Sequence, residues 1–217
     1  FTDARRNLSD SINFILNGGL NGIFIVFDGK AILGTRARKI RSKSFAAFDS
    51  IGYPIAAFID DSRIIKYLEA PAASGEVRFA TSISDSVFLL KLIPGIRPEI
   101  LAYLGEHYDI IVIESYGVGG IPFYDKRNFL NELQALTEKG KIIVIATQVM
   151  LEGSDAEKYE VGALALDRYN VLQSFDMTVE SAVTKLMWLC AEHEGYEEIR
   201  DGFYKCINHD LLYDPKN

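Results

Sequence analysis

Residues 108–123 read YDIIVIESYGVGGIPF, a run of apolar, β-favouring residues followed by a loop broken by glycine. The run Ile110–Ile113 carries no polar residue and reads as a buried strand. Three glycines then fall in four positions, Gly117, Gly119 and Gly120. A loop that only turns needs one glycine, so this spacing says that backbone comes close to something.

Outward from this strand the pattern is regular. SVFLLKLIPGI (86–96) reads as a strand, RPEILAYLGEHY (97–108) as a helix and DKRNFLNELQALTEKG (125–140) as a second helix. KIIVIATQV is then a strand, AEKYEVGALALDRY a helix, NVLQSF a strand and DMTVESAVTKLMWLCAEH a helix. Strands alternating with helices predict an α/β fold: a four-stranded parallel sheet, doubly wound, with strands centred on Leu89, Val112, Val144 and Leu172. Ligands of such sheets bind outside the carboxyl ends of the strands. The ESYGVGG, ATQVMLEGSD and SFDMT loops are expected to share that edge.

Before residue 86 the pattern is different. FTDARRNLSDSINFIL reads as a helix with Leu8, Ile12, Ile15 and Leu16 at helical spacing and Thr2 or Asp3 as its cap. In NGIFIVFDGKAILG the Asp28-Gly29 pair predicts a hairpin. Residues 52–85 mix proline, glycine, serine and charge. The expected organisation is therefore one unit over 1–62, a linker over 63–85 and a second unit over 86–217.

The totals exclude several classes. Net charge is -7 and the isoelectric point about 5.1, which argues against nucleic acid or an anionic membrane as the main partner. No apolar run is long enough for a spanning helix. Cys190 and Cys206 fit a reducing compartment, and neither stands at metal-like or redox-like spacing. His107, His193 and His209 are scattered, so no metal is expected. The glycine loop lacks the dinucleotide spacing, because Pro122 stands where a third glycine would be, and no phosphate-loop motif is present.

The basic stretch RARKIRSK (36–43) has two readings. One is a solvated edge strand guarded by charge. In the other, a single strand from Ala31 places Ala31, Leu33, Thr35, Ala37 and Lys39 on one face and Arg36 and Arg38 on the other. An inward Lys39 could then move a proton.

Taken together, TDARRNL, GTRARKIRSKSFAAFDS, IVIESYGVGGIPF, IVIATQVMLEGSDAEKYEVG and FDMTVESAVTKLMW resemble the type I (cytoplasmic) bacterial L-asparaginases, in the same order and over nearly the whole length. The resemblance implies a homo-oligomeric cytoplasmic enzyme that hydrolyses L-asparagine to L-aspartate and ammonia without metal or organic cofactor. It implies a nucleophilic threonine in a Thr-Gly-Gly-Thr segment, and a second triad of a Thr-Asp-Thr motif with a lysine. That lysine corresponds to Lys39. It further implies a loop at Gly117, Gly119 and Gly120 that reaches a neighbouring subunit's pocket, with Gly120 where relatives often carry Asn. Family members can have an allosteric asparagine site, and two of its positions correspond to Arg38 and Glu114. Their opposite charges have two readings: independent surface substitutions, or a direct pair where an effector would otherwise sit.

Neither threonine motif occurs in the 217 residues. The chain therefore resembles a C-terminal portion, the remnant of a larger α/β domain over 1–62 and the whole of a smaller domain over 86–217, expected to be inactive alone, with the strands GIFIVF and AILG left without neighbours. Two other functions fit the same residues: the asparaginase-like subunit of an archaeal-type glutamyl-tRNA amidotransferase, and a non-catalytic module that binds an amino acid or dimerises.

Overall fold

Asp28 and Gly29 both have positive φ, 50° and 73°, the conformation a two-residue hairpin loop requires. They lie in the first of two compact units, Phe1–Arg78 and Phe79–Asn217, of a computed structural model that describes residues 2–69, 78–158 and 160–213. Helix α1 (Ala4–Asn17) opens this unit, and the Thr2 hydroxyl oxygen accepts from the Ala4 N–H at 3.1 Å. Strands β1 (Phe24–Phe27) and β2 (Lys30–Leu33) form the expected hairpin. Its turn is tied to α1 by the Asp28 N–H, which donates to Asn7 Oδ1 at 3.0 Å.

Strands β3 (Ala37–Lys39) and β4 (Phe48–Ser50) pair as a separate ribbon. Strands β5 (Ala57–Asp60) and β6 (Arg63–Lys66) make a second hairpin, and the main sheet runs β1-β2-β5-β6, all antiparallel.

Three expectations change in this unit. The β5–β6 hairpin puts β6 inside the span read as linker; it is short and largely exposed, so charge masked its apolar pair Ile64–Ile65. Residues 70–77 of that span lie outside the described residues. β2 has β1 on one side and β5 on the other, so AILG is not an edge strand, whereas β1 is. The run from Ala31 to Lys39 is not one strand, because a turn at 34–36 separates β2 from β3. On α1, the residues read at helical spacing, Leu8, Ile12, Ile15 and Leu16, are 63%, 50%, 78% and 74% exposed. The face of α1 turned to the sheet instead carries Phe14, which packs with Ala31, Ala57 and Ile59 and meets Phe24 edge-on at 5.2 Å.

The second unit follows the expected alternation: β7 (Val87–Lys91), α2 (Glu99–His107), β8 (Ile110–Ser115), α3 (Phe129–Glu138), β9 (Ile142–Thr147), α4 (Glu160–Tyr169), β10 (Leu172–Gln173), α5 (Val179–Glu192) and α6 (Tyr196–Tyr204). The strands are parallel in the order β10-β9-β8-β7, and Leu89, Val112, Val144 and Leu172 lie side by side in register. Strand parity sorts the core. Ile111, Ile113, Ile143 and Ile145 pack with residues of α2, α3 and α4, while Ile110, Val112, Ile142 and Val144 pack with α5 and α6. Each such side chain contributes about 1.5–3 kcal/mol when fully buried.

Helices thus cover both faces, but the winding differs from expectation. The three crossover helices share one face, and strand order equals chain order, so the sheet never reverses direction of winding. The second face is filled only after β10. Alternating periods reveal which elements neighbour each other, not the face to which a crossover returns. Behind α5 the segment after α6 is clamped by a buried ion pair: Lys185 Nζ donates to Asp210 Oδ2 at 2.7 Å and to the Lys205 carbonyl at 2.6 Å.

Candidate functional site

At the carboxyl end of β8 the backbone folds back on itself. The Gly119 and Gly120 N–H groups both donate to the Tyr116 carbonyl, at 3.1 and 2.7 Å, and the Tyr116 N–H donates to Gly120 O at 3.0 Å. Gly119 has φ 143°, and a β-carbon there would stand 2.7 Å from both Cα and Cβ of Ala156. The Val118 carbonyl accepts from the Asp155 N–H at 2.6 Å, and the Thr147 hydroxyl donates to the Gly117 carbonyl. The close approach that the glycine spacing demands is thus met, at Gly119, by the neighbouring loop of the same unit.

That neighbouring loop is itself held from behind. Gln173 is buried; its Oε1 accepts from the Ala156 N–H at 2.7 Å and its Nε2 donates to Ser154 O at 3.3 Å. At Gly153 an added β-carbon would stand 2.6 Å from Phe175 O. The Gln173 N–H donates to the Tyr204 hydroxyl at 3.0 Å, and burial raises that phenol's pKa to about 12. The tail lies along the third loop, where the Leu212 and Tyr213 N–H groups donate to Asp176 Oδ1 at 3.0 and 3.3 Å. The ESYGVGG, ATQVMLEGSD and SFDMT loops therefore do share the carboxyl edge.

Glu114 closes the same edge on the other side. Its side chain is 6% exposed and takes an ion pair from Lys91 at 3.1 Å, its register partner on β7. Gln148 Nε2 donates to both Leu92 O and Glu114 O, at 2.7 and 3.0 Å, and so ties the ends of β7 and β8 to the start of the second loop. Arg38 stands on β3 in the first unit, half-buried and in register with Asp49.

Lys39 is the last residue of β3. It shares the side of Ala37, but the strand ends there, and the side chain is exposed with Nζ 5.9 Å from the Phe48 ring centroid. The expected inward position is thus corrected: the turn at 34–36 breaks the face that Lys39 was to continue. The buried basic residue of this stretch is Arg36, which lies over the Tyr53 ring at 5.7 Å. The alternation placed Arg36 on the outer face; the turn draws it in. Gln148 and Gln173 were not singled out by sequence. Their only signal is a long amide at the very end of an apolar strand.

Among the described residues no group of three or more His, Cys, Asp or Glu side chains could hold a metal ion, and no helix is long and apolar enough to cross a membrane.

Comparison with known proteins covers both units. Residues 1–72 match the family described as "Asparaginase, N-terminal", and residues 86–203 match the glutaminase/asparaginase C-terminal domain. The L-asparaginase of Thermococcus kodakarensis is 38% identical over 199 residues, which cover 92% of this chain and 60% of that protein. The solved structure of the thermostable L-asparaginase from that organism aligns with a TM-score of 0.91 at 35% identity, covering 98% of this chain and 63% of that one. A glutamyl-tRNA(Gln) amidotransferase subunit of Methanosphaera stadtmanae is 30% identical over 173 residues, 76% of this chain and 38% of that protein. The chain spans less than two thirds of the length of each of these relatives. With the second unit's sheet, its glycine loop and both family matches in register, the chain belongs to the glutaminase/asparaginase family.

Proposed function

We propose that the chain is the C-terminal part of an L-asparaginase, and that the whole protein hydrolyses L-asparagine to L-aspartate and ammonia. The observation that carries this reading is the pair of asparaginase matches along 1–72 and 86–203 together with the fold shared with an L-asparaginase. On this reading Lys39, paired with the aspartate of a Thr-Asp-Thr segment, helps take the proton from a threonine hydroxyl. The hydroxyl oxygen attacks the side-chain amide carbon, ammonia leaves with the transferred proton, and water releases aspartate. Gly117, Gly119 and Gly120 belong to a loop presented to a neighbouring subunit in a cytoplasmic homo-oligomer. Arg38 and Glu114 mark effector positions, and a direct pair between them, filling the effector's place, would make the whole enzyme's dependence on asparagine hyperbolic rather than sigmoidal.

The 217 residues alone have no turnover on this reading, because both threonine motifs are absent from them. An ammonia-release assay tests both halves of the proposal. The chain alone releases none from L-asparagine. A fusion carrying the N-terminal part of the Thermococcus relative ahead of residue 1 does, and Lys39→Ala in it lowers kcat by ~10²-fold or more, the scale of general-base loss. A Lys39→Ala fusion at the parent rate refutes the assignment.

The amidotransferase relative favours a second reading, in which the same amide chemistry serves transamidation of a glutamyl-tRNA. Ammonia released freely without a tRNA acceptor argues for the asparaginase.

A further inference from the structure

Arg6, Ser9, Asp10 and Asn13 are spaced three, four and seven residues apart and so form one stripe of α1. The stripe faces the Asp61–Ser62 turn between β5 and β6, and the two border an open groove of about 650 Å³ lined by these six residues. Asn13 Nδ2 donates to the Asp61 carbonyl at 3.4 Å and links helix to turn. Lys39, Arg38 and the glycine loop contribute nothing to this groove.

Asp10 is the unusual member. Its side chain is only 10% exposed, and Oδ2 has no hydrogen-bond partner. The nearest cation is Arg6, whose Nε stands 3.6 Å away, beyond a good hydrogen bond, on a side chain that is 62% exposed. A buried carboxylate oxygen calls for a donor, and a charged donor is the best partner it can take. The lining carries one cationic and two anionic side chains, so its balance favours a positively charged guest. Ser9, Asn13 and Ser62 add neutral hydroxyl and amide groups around the carboxylate.

We propose that this groove binds a small molecule through a primary ammonium group, which displaces the exposed Arg6 side chain and so reaches Asp10 Oδ2, an oxygen covered in this structure. The chemistry is shared by free amines and by amino acids, which the test separates. Calorimetric or NMR titration of the 217-residue chain with 1,4-diaminobutane should show saturable binding with a Kd in the millimolar range or below, weakened by added salt. Asp10→Asn keeps the size of the side chain and removes its charge; it should weaken binding at least tenfold. Asp61→Asn, on the exposed turn, should weaken it severalfold and serves if Asp10→Asn does not fold. Arg6→Gln should tighten binding, because it removes the competing cation. L-asparagine that displaces the diamine assigns the site to the ammonium of an amino acid; failure to displace assigns it to a free amine. Absence of binding up to about 20 mM diamine, or binding indifferent to both aspartate substitutions, overturns the proposal.

Discussion

An alanine at residue 119 would place its β-carbon 2.7 Å from Ala156 on a backbone at φ 143°, so space and conformation both oppose it. Gly140 also has positive φ, 79°, but nothing lies within 4 Å of an added β-carbon. Gly119→Ala should therefore cost about 2–4 kcal/mol and Gly140→Ala about 1–2 kcal/mol, the latter from backbone strain alone. Urea unfolding followed by Trp188, the single tryptophan and a residue of α5, reads both. Equal costs would mean that the loop yields where it touches Ala156. The need for glycine at 119 was legible in the sequence, but the object of the close approach was not. That object, Ala156, lies 37 residues later and carries no chemistry of its own. The Lys185–Asp210 pair was equally invisible, since an exposed helix lysine and a buried one look alike in sequence. Lys185→Met leaves the Asp210 carboxylate buried without its cation and should cost about 3–5 kcal/mol, and Lys185→Met with Asp210→Leu should recover much of this. A double variant no more stable than the single one would show that packing, not charge, sets the loss.

Elements were read more surely than their winding. The four strands of the second unit were found in register because each is a short apolar run bounded by turn signals, and the Asp28-Gly29 hairpin because two residues define it. The β5–β6 hairpin was missed because its turn, Asp61–Ser62, uses an aspartate at φ 52° instead of a glycine. One loop-to-strand contact at the amino edge of the sheet is open to a pH test. Asp109, just before β8, accepts from Lys141 Nζ at 2.8 Å and from Ser86 Oγ at 2.6 Å. These bonds hold its pKa below the usual carboxylate range. A depressed folded pKa adds stability that is fully present above the unfolded value, about 3.9, and is lost as pH falls through the folded value. The carboxylate is largely exposed, so the effect is small. Asp109→Asn should lie slightly below the parent in stability at pH 5–7, and the two unfolding curves should converge as the pH falls through the lowered folded pKa. A gap that persists in acid would assign the loss to the side-chain swap itself.

At the scale of the whole molecule, the sequence placed Leu8, Ile12, Ile15 and Leu16 at helical spacing on α1, and periodicity identifies such an apolar stripe without saying what covers it. In the first unit that stripe is exposed, as is Ile23, while β1 stands at the edge of its sheet. An uncovered apolar stripe and an unpaired strand edge both favour contact with another chain. The net charge of -7 opposes association only over the screening distance, about 8 Å at physiological salt, and so weakens it without abolishing it. The chain should therefore be a dimer or larger by light scattering at ~100 μM, a concentration at which even weak pairing is populated. Ile15→Lys with Leu16→Lys removes the two most exposed members of the stripe and should shift the equilibrium toward monomer, with the fold kept because neither side chain is buried. If the double variant associates as strongly as the parent, the contact lies along β1, and Val26→Pro should then dissociate it, because alternation from the Gly34–Ile23 bond turns the Val26 N–H away from β2 toward the free edge. A parent chain that is monomeric at ~100 μM would show that neither surface holds a second copy.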